Sequence, residues 1–282
     1  MLSVRGEKTE LIRFVQSSPL GTWTQRSRTV YNRICVSTER RFKGTLTSEY
    51  ELFKLVRLDA PVLAVKIAQA IRRFRPARKT ALLDGLELGF GSGETTKIIL
   101  SARSDLRLTA LDNEPQFLPK ARRALRNALR ADRLQLVTAD ILSFLRKLPA
   151  KRFDFVAASA TLHNFPAAYR QAVLTELARV LKAGALFINC DKYAQAGAAH
   201  RRAVQKRLGR YFNVAVPRRR FGFLKSAVLH YMEDETPGRR MSEKESVAAM
   251  RALGFSRIRL VCRRDMMAIL VAFRPLRRDG KS

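Results

Sequence analysis

The chain has 282 residues, enough for one large domain or for one domain with a smaller addition. Its 46% hydrophobic content is that of a globular protein with a core, and no apolar run approaches the roughly 18 residues of a membrane-spanning helix. Fifty-five Lys and Arg stand against 24 Asp and Glu, a formal net charge of +31, and such a field attracts polyanions such as RNA, DNA and acidic lipid surfaces without specifying a chemistry.

Residues 1–47 lack a clear period. They hold no signal-peptide core, and the first 44 carry nine Lys/Arg and three Glu. A basic arm or an N-terminal helical cap is expected there, with one short helix at Leu11, Ile12, Phe14 and Val15. A basic, Ser-rich transit peptide is the alternative, weakened by Glu7, Glu10 and Glu39. From Ser48 to Phe74, Leu52, Leu55, Val56, Val62, Val65, Ile67 and Ile71 recur at helical spacing, and Pro61 divides two helices. Three scattered cysteines, Cys35, Cys190 and Cys262, form neither a disulfide framework nor a zinc site. They fit a reducing, cytoplasmic setting, and no metal is expected.

Strands and helices then alternate. Strands are predicted at 81–88, 106–111, 134–138, 153–159 and 185–190. Helices are predicted at 94–102, 115–130, 141–148 and 167–181, and Lys182-Ala-Gly184 reads as a turn. This alternation predicts an α/β fold, a doubly wound and mostly parallel seven-stranded sheet whose strand ends gather along one edge. Residues 191–240 break the pattern as a helical insertion that would form a lid over that edge. Ser242 and Glu245 form a capping box for a helix ending at Gly254. Residues 257–262 and 267–273 make a terminal hairpin, and a polar tail covers 276–282. The domain is therefore drawn as 48–275.

The chemistry is carried by Glu87-Leu-Gly89-Phe90-Gly91-Ser-Gly93, a glycine loop between a strand and a helix. Glycine lets the backbone turn sharply and pass close to a ligand. Position 94 is Glu, so the spacing of a dinucleotide site is absent, and that carboxylate would repel a pyrophosphate. S-adenosylmethionine (SAM) carries an ammonium and a sulfonium and no phosphate, so acids beside it are tolerable. Asp112, at the tip of the second strand, can accept both ribose hydroxyls. Asp140, after the third, can accept the adenine amine with Ile141 against the ring. Each acid taken singly also suits a helix N-cap. Three acidic tips beside one glycine loop are harder to explain that way.

Residues 82–191 resemble the class I SAM-dependent methyltransferase family. The glycine loop resembles its first motif, Leu111-Asp112-Asn113 its ribose turn and Ala139-Asp140-Ile141 its adenine turn. Residues 153–156 resemble the strand before its active-site loop, and 179–188 the helix, turn and strand that follow. Ala183 and Ala185 stand where Pro and Gly are usual. The resemblance implies SAM as cofactor, held by Glu87, Gly89, Phe90, Gly91, Gly93, Asp112, Asn113, Asp140, Ile141 and Ser159. A narrower similarity, to carboxy-S-adenosylmethionine synthase, rests on 110–113, on 160–165 and on the C-terminal helix and hairpin. That family's first motif differs, and Arg239 or Arg240 would have to hold its carboxylate.

His163, just after the fourth strand, is the candidate catalytic base, its alternative being a structural histidine beside a helix start. His163, Phe165, Tyr193, His230 and Tyr231 are the acceptor-site candidates, with His230-Tyr231 read as a loop pair and His200 as solvent-facing. Phe212, Phe221 and Phe223 are candidate pocket walls, and Arg218-Arg-Arg220 a candidate anion clamp. Residues 201–225 hold nine Lys/Arg and no acid, with interleaved aromatics, a composition shared with single-strand RNA platforms. The expected function is methyl transfer to a small-molecule acceptor. A tRNA- or rRNA-modifying enzyme and a non-catalytic SAM- or RNA-binding module are the alternatives. Oligomeric state is not specified.

Overall fold

In the computed structural model, residues 41–42, 44–78 and 80–276 are described. The expectations for residues 1–40 and for 277–282 lie outside them. The chain opens with α1 (Thr45–Ser48), α2 (Tyr50–Val56) and α3 (Ala60–Arg73), with Pro61 in the first turn of α3 where its missing N–H costs nothing. The buried face of α3 is Leu63, Ala64, Ile67, Ala68 and Ile71, whereas Leu55, Val62 and Val65 point outward. The expected stripe was thus partly misphased, because both sides of α3 carry apolar residues and spacing alone cannot choose between them.

The remaining elements follow in the anticipated alternation. They are β1 (Leu83–Leu88), α4 (Glu94–Ser101), β2 (Leu106–Asp112), α5 (Leu118–Ala124), α6 (Arg126–Arg130), β3 (Leu134–Thr138) and α7 (Ile141–Lys147). Then come β4 (Phe153–Ser159), α8 (Ala167–Val180), β5 (Leu181–Lys192), α9 (Gly197–Ala215), α10 (Phe221–Asp234), α11 (Glu243–Ala252), β6 (Ser256–Arg264) and β7 (Met267–Phe273). The helix expected over 115–130 is broken into a 3-10 turn at Pro115–Phe117 and the two short helices α5 and α6. Lys182-Ala-Gly184 is not a turn before a strand. It is an irregularity within β5, where Gly184 has φ +74° and the pairing with β4 slips.

The seven strands lie in the order β3-β2-β1-β4-β5-β7-β6. β1 to β5 are parallel, and β7 runs antiparallel between β5 and β6, so the hairpin puts β6 at the edge. Side chains alternate across the sheet with period two. On β5, Leu186, Ile188 and Cys190 pack with α3 and α4, whereas Phe187 packs with α8 and α11 on the other face. Local caps fix the helices. Ser242 accepts from Glu245 N at 3.1 Å, and Arg179 donates to the carbonyls of Leu145 and Leu148 at 2.7 and 2.8 Å, satisfying the orphan end of α7.

A third apolar cluster joins α1 and α2 to α9 and α10 through Leu46, Phe53, Val56, Tyr211, Phe223 and Tyr231. Phe53 is its hinge, edge-on to Phe223 at 5.3 Å and to Tyr211 at 5.8 Å. This helical layer supplies Arg207, Tyr211 and His230 to the same cavity that the tips of β1, β2 and β4 line. No helix among the described residues is long and apolar enough to cross a membrane.

Candidate active site

The glycine loop turns over the tip of β1 with positive φ at Gly89 (+78°), Gly91 (+50°) and Gly93 (+94°). Each glycine has a separate task. A Cβ on Gly89 would lie 2.2 Å from the Thr161 hydroxyl, which itself donates to Leu88 O at 2.8 Å and so buttresses the loop. A Cβ on Gly93 would strike Leu125 at 2.9 Å, so this residue lets α4 approach α5 and α6. Gly91 N donates to Asp112 Oδ2 at 2.8 Å, and Glu114 N donates to Asp112 Oδ1 at 2.9 Å. Asp112 thus ties the tip of β2 to the loop, and each oxygen keeps a lone pair for a further donor.

Glu87 lies beneath this loop, 1% exposed, and neither carboxyl oxygen has a hydrogen-bond partner among the described residues. Burial, with Asp112 adding repulsion, pushes its pKa up to about 8, despite a favourable Thr96 hydroxyl. Burial likewise raises Asp112 to about 6. Two acids at adjacent strand tips, short of counter-charge, suit a cationic ligand. That shortage is the observation by which SAM fits here: its ammonium would supply the missing donors and charge.

Of the residues singled out in the sequence, Gly89, Gly91, Asp112, Asn113, Ile141, Ser159, His163, Phe165 and His230 line one cavity. Glu87, Phe90 and Gly93 underlie it. Asp140 is the N-cap of α7, accepting from Ser143 N at 2.8 Å and from the Tyr169 hydroxyl at 2.7 Å. Tyr193 is wholly buried on the α8 face, taking a 2.6 Å bond from Asn189.

Several readings need correction. His230 and Tyr231 are not on a loop: both are buried in α10, and Tyr231 faces the helical layer, its hydroxyl 3.2 Å from Met266 Sδ. His200 is not solvent-facing, since its Nε2 is 2.8 Å from Glu235 and its side chain is 14% exposed. Phe212 and Phe221 are exposed and Phe223 is core, so none of the three walls the cavity; Tyr211 does. With Tyr211 and Phe223 inward, residues 201–225 present no continuous stacking face. Arg218, Arg219 and Arg220 are exposed and lie outside the cavity lining, as does Arg239, which donates to Asn164 O at 2.7 Å. Arg240 is exposed too and lines only side cavities. For the aromatic residues, the helices α9 and α10 turned a run of rings into an inner and an outer face.

Behind the glycine loop lies a buried charge network that the sequence reading missed. His163 Nδ1 bonds Asp191, and the His163 backbone N donates to the same carboxylate at 3.2 Å. Lys192 N donates to Asp191 at 2.9 Å. The Lys192 ammonium and the Arg41 guanidinium both bind Asp234, whose Oδ2 is 3.7 Å from His163 Nε2. Burial lowers the pKa of His163 despite Asp191, leaving the ring neutral at pH 7. Burial would raise Asp234, but Lys192, His163, His230 and Arg41 together hold it well below the usual carboxylate range. The strand-tip argument that found Asp112 also reaches Asp191 at the end of β5. Nothing local marks Asp234 or Arg41, whose partners are roughly 190 residues apart in the chain.

Comparisons with known proteins agree with this geometry. The family described as methyltransferase domain matches residues 86–189. A trans-aconitate 2-methyltransferase of Streptomyces avermitilis is 32% identical over 80 residues, a stretch covering 28% of this chain and only 29% of that relative. An O-methyltransferase family protein from Burkholderia thailandensis superposes with TM-score 0.55 at 15% identity, over 96% of this chain and 69% of its own. The [4+2]-cyclase SpnF superposes at 0.51 with 12% identity, over 75% and 81%. These structural likenesses establish the fold alone. The narrower similarity to carboxy-S-adenosylmethionine synthase is not confirmed. The domain match over residues 86–189, the seven-strand order and the acidic strand tips around a glycine loop support a class I SAM-dependent methyltransferase.

Proposed function

We propose that the chain moves a methyl group from SAM to a hydroxyl oxygen of a small-molecule acceptor, with His163 as general base. The observation that carries this reading is the His163–Asp191 pair beside the cofactor loop. Asp191 accepts the Nδ1 proton and so fixes the tautomer that leaves Nε2 as the basic atom. SAM, when bound, supplies a methyl group on a good sulfur leaving group. His163 Nε2 takes the acceptor's proton as the acceptor oxygen bonds to carbon and the carbon–sulfur bond breaks. The imidazolium so formed lies between Asp191 and Asp234, which offset its charge. Glu87, Asp112 and the loop N–H groups would hold the cofactor, and the aromatic side chains of the helical layer exclude water.

Small-molecule methylation is favoured because aromatic side chains of the helical layer, Phe53 and Tyr211, wall the cavity that His163 lines. The relative named for trans-aconitate supports the same class. The test is tritiated-methyl SAM incubated with the protein and, separately, with small-molecule and RNA fractions of a cell extract. Label entering small molecules with the wild type and lost by a factor of about 10²–10⁴ in His163→Ala is the expected result. Label confined to RNA would refute the reading. S-adenosylhomocysteine should bind both proteins equally.

A further inference from the structure

Four cationic side chains line the cavity, and three are committed to carboxylates. Arg41 and Lys192 bind Asp234, and Arg207 lies 3.5 Å from Asp59. Among the described residues, the Arg57 guanidinium has no hydrogen bond and no ion pair. Its backbone is nonetheless fixed. Arg57 N closes α2 by donating to Phe53 O and Lys54 O, both at 3.1 Å, and its carbonyl accepts from Ala60 N at 3.0 Å. The side chain is half-buried and shares the cavity wall with Tyr50, Phe53 and Tyr211. Its charge acts against the burial of the Tyr50 and Tyr211 hydroxyls and of Cys190 at the tip of β5. The same cavity is lined by His163.

A partly desolvated guanidinium without a counter-ion is costly, and its planar fork matches a carboxylate in bidentate fashion. The rings around it favour a flat partner. We propose that Arg57 selects the acceptor by binding its carboxylate, and that the acceptor class is an aromatic hydroxy acid whose hydroxyl faces His163. This rests on the methyl-transfer reading of the same cavity. It makes the acceptor an anion and Arg57 a specificity residue in a helix that the sequence reading gave no role.

The test is calorimetric titration of the protein saturated with S-adenosylhomocysteine, using 2-, 3- and 4-hydroxybenzoate and the methyl ester of each. At least one acid should bind tenfold or more tightly than its ester. Arg57→Met should erase that preference while leaving affinity for the ester and for S-adenosylhomocysteine unchanged, and Arg57→Lys should restore part of it. Equal binding of acid and ester overturns the proposal, as does the failure of all three acids to bind a protein that takes S-adenosylhomocysteine normally. A loss of S-adenosylhomocysteine affinity in Arg57→Met overturns it differently, by assigning the guanidinium to the cofactor's own carboxylate. Failure of the wild type to bind S-adenosylhomocysteine at all would instead remove the methyl-transfer reading on which it rests.

Discussion

Glu87→Gln should stabilise the cofactor-free protein, by an amount that grows with pH. The Glu87 carboxyl is buried, neither oxygen is hydrogen-bonded among the described residues, and its pKa rises from 4.5 to about 8 despite the nearby Thr96 hydroxyl. In the unfolded chain the group ionises near its ordinary value. Between the two values the folded protein therefore holds a proton that the unfolded chain has released. Stability is fully present below the unfolded pKa and is lost as pH rises through the folded one. The gap from 4.5 to about 8, at 1.36 kcal/mol per pH unit, sets a ceiling of roughly 5 kcal/mol. Water entry and relaxation around the ion reduce this, so a loss of about 2–4 kcal/mol is expected for the wild type between pH 5 and 8. Glutamine keeps the shape and cannot ionise, so its curve lacks this slope. Urea unfolding of both proteins from pH 5 to pH 9 measures the difference directly. S-adenosylhomocysteine, which brings an ammonium, should stabilise the wild type more than the variant at pH 8. Parallel stability curves would refute the reasoning, because Glu87 would then be solvated or paired in the folded state.

Other substitutions test the remaining parts. Asp112→Asn should weaken SAM binding by about 1–3 kcal/mol in a calorimetric titration, through loss of a charged acceptor that also anchors Gly91. Gly89→Ala should destabilise the loop and abolish cofactor binding, because the added Cβ meets the Thr161 hydroxyl at 2.2 Å on a backbone at φ +78°; unchanged affinity would mean that the loop is not held by Thr161. Phe53→Ala should cost about 3–5 kcal/mol in chemical unfolding, since this ring joins α2 to Tyr211 and Phe223. The rate of methyl transfer should fall on the acid side as His163 protonates and reach its plateau by pH 7, because burial sets the pKa of that ring below 6.5. Asp191→Asn should lower the rate by about 10²–10⁴ with S-adenosylhomocysteine affinity unchanged.

The sheet was legible in the sequence because each buried strand is an apolar run of strand length, and because Gly, Asp and Ser stand where strands turn into helices. Parallel pairing and right-handed crossovers then leave little freedom, so Asp112, Ser159 and the glycine loop were bound to meet at one edge. The same local signals could not say whether Asp140 caps a helix or faces a ligand, because an N-cap and a strand-tip carboxylate occupy the same letter of the chain. The structure shows it capping α7. The helical layer was less legible still. Residues 197–234 carry charges and rings on every side, and spacing alone did not reveal that Tyr211, Phe223 and Tyr231 turn inward while Phe212 and Phe221 turn out. That choice depends on α1 and α2 packing against α9 and α10. The charge network depends on it too, since Arg41, His163, Lys192 and Asp234 come together only when four distant segments are folded. Sequence thus determined the mostly parallel, doubly wound sheet and the cofactor loop, which follow from local pattern and chain connectivity. Tertiary structure alone decided which charges pair around the cavity and which one, Arg57, has no ion pair among the described residues, because a salt bridge is a fact about distance and burial that no residue carries by itself.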